Sequence, residues 1–132
     1  MPTIYPLKIP MRITLKGRIP SKKNNKQRTG KALISSKAYR ERESEQLQSL
    51  KEQVKPMCLD SALYIHYKFY MPDARKTDLS NKVESINDLF VKYWLLEDDN
   101  RTIIKQMFIT SEGIDRDNPR CEINIKFLYT CD

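Results

Sequence analysis

The chain has 132 residues, 39% of them hydrophobic and 31% charged, which suits one domain with one core and excludes collagen-like, low-complexity and wholly disordered architectures. Its 24 Lys and Arg against 17 Asp and Glu leave a formal net charge of +7, so the expected partners are polyanions, nucleic acid ahead of an anionic membrane surface. No apolar run approaches the ~18 residues of a membrane span, and the N-terminal MPTIYPLKIPMRITL lacks the apolar segment of a secretory signal, so no membrane association and a cytoplasmic location are expected.

In MRITL, Met11, Ile13 and Leu15 alternate with Arg12 and Thr14, the period-2 pattern of a half-buried strand. The next segment, RIPSKKNNKQRTGK, carries Arg18, Lys22, Lys23, Lys26, Arg28 and Lys31 and no acid. Self-repulsion and Pro, Asn and Gly turn chemistry predict a mobile basic loop over 18–31. ALIS is expected to pair back on the first strand. Ser35 or Ser36 then caps a charged helix running to about Val54, before Pro56, with Tyr39, Leu47, Leu50 and Val54 on its apolar side. ALYIHYKFY places Leu63, Ile65, Tyr67 and Phe69 on one face of a strand and Tyr64, His66, Lys68 and Tyr70 on the other. MPDARKTD leads to a second helix, and RTIIKQMFIT and CEINIKFLYT close the chain as two antiparallel strands joined by SEGIDRDNP. The sum is one α+β domain over 1–132, with a mixed, largely antiparallel sheet of four or five strands and two main helices. Cys58, Cys121 and Cys131 have no CxxC spacing and read as free thiols rather than a disulfide framework or a zinc site.

On a helical wheel started at Asp78, Leu79, Val83, Ile86, Leu89, Phe90 and Tyr93 share one arc of about 120°, the stripe that faces a core. Asp78, Asn81, Glu84 and Asp88 share another, and Asp98 and Asp99 follow the helix. Lys82 falls inside the apolar arc, where its cation must snorkel outward or find a partner, Asp78 one turn back being within reach. Each acid has a plain reading: Asp78 as an N-cap, Asp98 and Asp99 as a turn, Glu84 and Asp88 as a solvated face. Their concentration on a basic chain points instead to hard oxygen ligands for a divalent cation beside a phosphate-binding surface.

The stretch DLSNKVESINDLFVKYWLLEDD, Asp78 to Asp99, resembles the signature of the RusA-like Holliday junction resolvases, small endonucleases of bacteria and their phages. In that family an Asp-Leu-Asp-Asn segment opens a helix, another Asp lies midway, and a Leu-Leu-x-Asp-Asp segment follows. The strand ending in Gly, GRIPSKKNNKQR and ISSKAYRE are similar to the family's N-terminal half. The resemblance implies catalytic Asp78 and Asp99, with Asp88 the mid-helix acid and Asp98 beside the distal one. It also implies a homodimer, because a four-way junction is resolved by two matched cuts. Three positions depart from the pattern. Ser80 stands where the second Asp is usual, Glu84 replaces the customary Lys and is a possible compensating acid, and Trp94 occupies the place of a small residue, often Gly.

The expected chemistry is hydrolysis assisted by Mg²⁺, with Mn²⁺ as an alternative, held by Asp78, Asp99 and either or both of Asp98 and Asp88. Lys82 is the candidate to stabilise developing charge or to position the phosphate, with a salt bridge to Asp78 as the other reading. Lys22, Lys23, Lys26, Arg28 and Lys31 are expected to hold the DNA backbone through salt-dependent contacts. His66, the one histidine, reads as half-buried sheet surface rather than a catalytic base. The expected activity is resolution of branched DNA in recombination, repair or phage genome processing. The alternative is a non-catalytic basic nucleic-acid-binding protein whose Tyr64, Tyr67, Phe69 and Tyr70 stack on bases. A nuclease of the PD-(D/E)xK type has only Pro72-Asp73 in its favour, with no Glu-x-Lys strand following.

Overall fold

The computed structural model describes residues 11–17, 19, 26–29, 32–35 and 37–128. In chain order the elements are β1 (Met11–Lys16), β2 (Lys26–Thr29), β3 (Ala32–Ser35), α1 (Lys37–Gln53), β4 (Leu63–Met71), α2 (Leu79–Lys92), β5 (Ile104–Ile114) and β6 (Arg120–Phe127). Four strands form one mixed sheet in the order β1-β6-β4-β5, and β2 and β3 form a separate antiparallel pair. The α+β class expected from the sequence is the one observed.

β4 is the centre of the sheet, and its alternating burial shows why: Leu63, Ile65, Tyr67 and Phe69 are buried while Tyr64, His66, Lys68 and Tyr70 are half-exposed. β6 lies antiparallel on one side, with Ile65 facing Ile125, Tyr67 facing Ile123 and Phe69 facing Cys121. β1 adds Met11, Ile13 and Leu15 against Ile125, Ile123 and Cys121, completing the apolar layer. Over it lies α2, whose Val83, Ile86, Leu89 and Phe90 are buried in the same core, with Leu50 of α1. Fully burying one such side chain contributes roughly 1.5–3 kcal/mol. Lys92 of α2 bonds Glu43 of α1 at 2.6 Å, joining the two helices.

The last two strands do not form the expected hairpin. β5 pairs with β4 in parallel, and β4 separates it from β6. The helix explains this. α2 carries the chain back along the sheet, so β5 starts at the same end as β4, and a parallel pair needs such a crossover. Asp115 to Pro119 must then step over β4, two inter-strand spacings of about 4.8 Å each, which five residues span easily. The amide of Asp115 bonds the carbonyl of Met71 at 2.8 Å, fixing that step on the end of β4.

Two further expectations need correction. ALIS pairs with β2 and not with the first strand, and Lys26–Thr29 is a strand rather than part of a loop. Lys22, Lys23 and Lys31 lie outside the described residues, as does Ser36.

The two outer edges of the sheet differ. On β1, the Gln53 amide accepts from the Thr14 N–H at 2.8 Å and donates to the Thr14 carbonyl at 2.7 Å, so a side chain stands where a neighbouring strand would. On β5, register shifts leave Lys105 and Glu112 outside the ladder with β4, irregularities that discourage edge pairing. Among the described residues no helix is long and apolar enough to cross a membrane.

Candidate active site

α2 is the spine of the candidate site. Asp78 is its N-cap, in an extended conformation, and its Oδ1 accepts from the Ser80 N–H at 3.0 Å and from the Ser80 hydroxyl at 2.6 Å. The cap satisfies one of the orphan amides of the first turn, so the plain reading of Asp78 holds. It also gives Ser80, the residue in place of the usual second Asp, a definite role as donor to Asp78.

Lys82, one turn on, is 5% exposed, and its ammonium donates to the main-chain carbonyl of Ile19. It turns inward rather than snorkelling out to solvent. With Gly17, Ile19, Phe69, Tyr70, Met71, Pro72 and Arg120 it lines a cavity of about 10 Å³, room for a single water. Gly17 enters this corner with φ +84°, a left-handed conformation that only glycine adopts freely. Asn81, expected on the acidic side, is buried instead, while Glu84 is exposed.

A second station forms farther along. Asp98 folds into a tight turn in which its carboxylate accepts from the Asp99 N–H at 2.8 Å and from the Asn100 amide at 3.0 Å. Those donors, the Asp99 amide above all, hold the Asp98 carboxyl below the usual carboxylate range. Asp99 behaves oppositely. Partial burial, a hydrogen bond to the Asp98 carboxyl and repulsion from Asp88 and Asp98 all push its carboxyl up. Desolvation is the largest cause. The turn after α2 thus sets Asp99 beside Asp98 and within electrostatic reach of Asp88. Asn100 completes the loop by accepting from the Thr102 N–H at 2.9 Å and from its hydroxyl at 2.5 Å.

Beneath this station the Tyr67 hydroxyl donates to Asn87, a side chain that is itself buried. Burial pushes the Tyr67 phenol up, and the nearby charge of Asp99 adds to it. Asn87 was not a candidate from sequence, where it reads as a neutral neighbour of Asp88, and Tyr67 was offered there only as a core position of β4 and a base-stacking ring. The signal available was that a polar residue on the buried side of a helix needs a partner.

Asp78 belongs to a different place. It precedes Asp88 by ten residues, which at 1.5 Å per residue is about 15 Å along the helix axis. Among the described residues no group of three or more His, Cys, Asp or Glu stands ready to hold a metal ion. The residues present still fit Mg²⁺, which keeps several of its waters and is commonly bound by one or two carboxylates plus substrate phosphates. The Asp98 and Asp99 carboxyls, crowded and raised in one case, offer such a pair. Lys26 and Arg28 lie on β2.

No protein-family model matches this chain, and no curated protein matches it.

Proposed function

We propose that the chain is a divalent-metal-dependent endodeoxyribonuclease of the RusA type that works as a homodimer on branched DNA and resolves four-way junctions by paired cuts. The observation that carries the reading is the turn that sets Asp98 and Asp99 side by side on a chain of net charge +7, where partial burial first, and then the charges of Asp98 and Asp88, push the Asp99 carboxyl up. Repulsion between neighbouring carboxylates is what a bound cation relieves. The resemblance of residues 78 to 99 supports the same assignment from the sequence side.

Bound Mg²⁺ or Mn²⁺ would polarise the scissile phosphate and lower the pKa of a coordinated water. Asp98 and Asp99 would hold the cation, and Asp88 adds negative potential at Asp99. The Tyr67 to Asn87 hydrogen bond ties α2, next to Asp88, to β4 and so braces this end of the site. Lys82 is a positioning residue in this reading. By holding the Ile19 carbonyl it fixes the chain at Ile19, just before the Lys22, Lys23, Lys26, Arg28 and Lys31 segment in sequence. That segment supplies cations for DNA phosphates. Asp78 enters the proposal through the resemblance, at the head of α2.

A non-catalytic nucleic-acid-binding protein is the second reading, favoured by the engagement of Ser80 with Asp78 and of Lys82 with Ile19. One experiment separates the two. Labelled four-way junction and matched linear duplex are incubated with the protein in Mg²⁺, Mn²⁺ or EDTA. Paired symmetric nicks in the junction, absent in EDTA, support the resolvase. Salt-sensitive binding with no cleavage in any metal supports the binding protein and ends the proposal.

A further inference from the structure

The face of the sheet turned away from the helices is a grid in four rows. Lys126, Tyr64 and Gln106 stand side by side, then Arg12, Asn124, His66 and Phe108, then Thr14, Glu122, Lys68 and Thr110, then Lys16, Arg120, Tyr70 and Gly113. Phe108 is 51% exposed, an unusual position for a phenylalanine on an open sheet, and its ring lies 5.3 Å from that of Tyr64 and 6.3 Å from that of His66. His66 is itself held by a 2.9 Å hydrogen bond to Thr110. Lys126 sits 4.5 Å over the Tyr64 ring. In the last row Arg120 covers one face of the Tyr70 ring at 3.8 Å and is fixed by Glu122 and Asp115, both at 2.8 Å.

We propose that this open face binds a single-stranded segment of nucleic acid, with Phe108 and Tyr64 as stacking rings and Lys126, Lys68 and Arg12 as phosphate contacts. The charge decides the occupant. Arg12, Lys16, Lys68, Arg120 and Lys126 share the paired outward positions with Glu122 as their acid, so a second copy laid face to face would meet its own cations, whereas a phosphate backbone is complementary. The rings decide the strandedness. Aromatic side chains stack on bases freed from a duplex, and they do so with little regard to sequence. Tyr67 and Phe69, which the sequence also offered for stacking, point into the core and take no part.

The site is independent of the metal chemistry proposed above, and its test is run in EDTA with the whole chain. Fluorescence anisotropy is measured with labelled oligo-dT and with a duplex of the same length. Phe108→Ala should weaken oligo-dT binding about tenfold and duplex binding by less than about twofold. Phe108→Trp should restore it, and because the side chain is half exposed neither change threatens the fold. Lys126→Ala should flatten the dependence of oligo-dT affinity on salt by about 0.7 in logarithmic slope, one phosphate contact on a single strand. Unchanged oligo-dT affinity in both Phe108→Ala and Tyr64→Ala overturns the proposal. So does an equal loss for oligo-dT and duplex, or a shift from dimer to monomer in Phe108→Ala by sedimentation, which would make the face a contact between copies.

Discussion

At the head of α2, polar side chains are engaged with the protein itself. Asp78 caps the helix, Ser80 donates to Asp78, and Lys82 holds a carbonyl of the chain leaving β1. Beyond the other end of the helix a turn sets Asp99 beside Asp98, and partial burial together with the charges of Asp98 and Asp88 pushes Asp99 toward its neutral form. Residues of the same chemical type thus end as structure in one region and as stored repulsion in the other. The difference is geometric. A carboxylate beside free helix amides is satisfied where it stands, while one placed by a turn against other carboxylates needs a cation or a proton.

The largest expected effect falls on the distal region. Asp99→Asn should lower metal-dependent junction cleavage by more than about 100-fold, above the usual cost of disturbing an outer-shell partner, while junction binding persists. Gel assays of cleavage and of binding in EDTA check both halves. Retained cleavage would show that the crowded carboxyls are not the metal centre.

Tyr67→Phe tests the floor beneath them. It leaves the buried Asn87 amide short of a partner and should cost about 1–3 kcal/mol in chemical denaturation. A cost near zero would mean that the Tyr67 and Asn87 pair does not brace the site.

The head of the helix predicts a different pattern. Asp78→Ala should cost about 1 kcal/mol as a lost cap, whereas Asp78→Asn should keep the stability, since Asn caps as well as Asp. If Asp78→Asn nevertheless abolishes cleavage, the two regions work together in the reaction. If it cleaves normally, Asp78 is structural alone.

A smaller effect concerns pH. The folded-state carboxyl of Asp99 is raised above its unfolded value of about 3.9. Its contribution to stability is therefore fully present below that pH and is lost as pH rises through the folded value. Asp98, held low, has the opposite sign: its contribution is present above the unfolded value and is lost as pH falls through the lowered one. Asp99→Asn should accordingly gain thermal stability over the parent protein as pH rises from about 4 to 7, by under about 1 kcal/mol for a partly exposed group. Added Mg²⁺ should raise the melting temperature of the parent and not that of the variant.

The least effect is expected at Trp94, which has φ +65° and is 62% exposed. Trp94→Gly should be neutral to stabilising within about 1 kcal/mol by circular dichroism, as strain relief offsets the greater freedom of glycine in the unfolded chain. The backbone conformation explains why a glycine would be at home at this helix end.

Much of the fold was legible because burial leaves a period in the sequence. The alternation in MRITL and LYIHYKFY, and the stripe Val83, Ile86, Leu89, Phe90, appear in the structure with the faces expected. Thr110, Gln106 and Asn124 gave no such sign, since a polar residue on an open sheet face has no periodic partner in sequence; only the ladder sets it beside Lys68, Tyr64 or His66. Strand order was equally hidden, because the period of β5 and β6 states which face each strand buries and not which neighbour it takes.

By itself, the sequence determined the elements, the side each presents to the core, and the presence of carboxylates on a basic chain, all of which follow from local spacing and charge. Only the tertiary structure decided that Asp99 is partly buried within electrostatic reach of Asp88, that Lys82 turns inward, and that Phe108 lies beside Tyr64 on an open face. Those outcomes depend on the crossover through α2 and the turn at Asp98, where residues distant in the chain are placed by packing rather than by pattern.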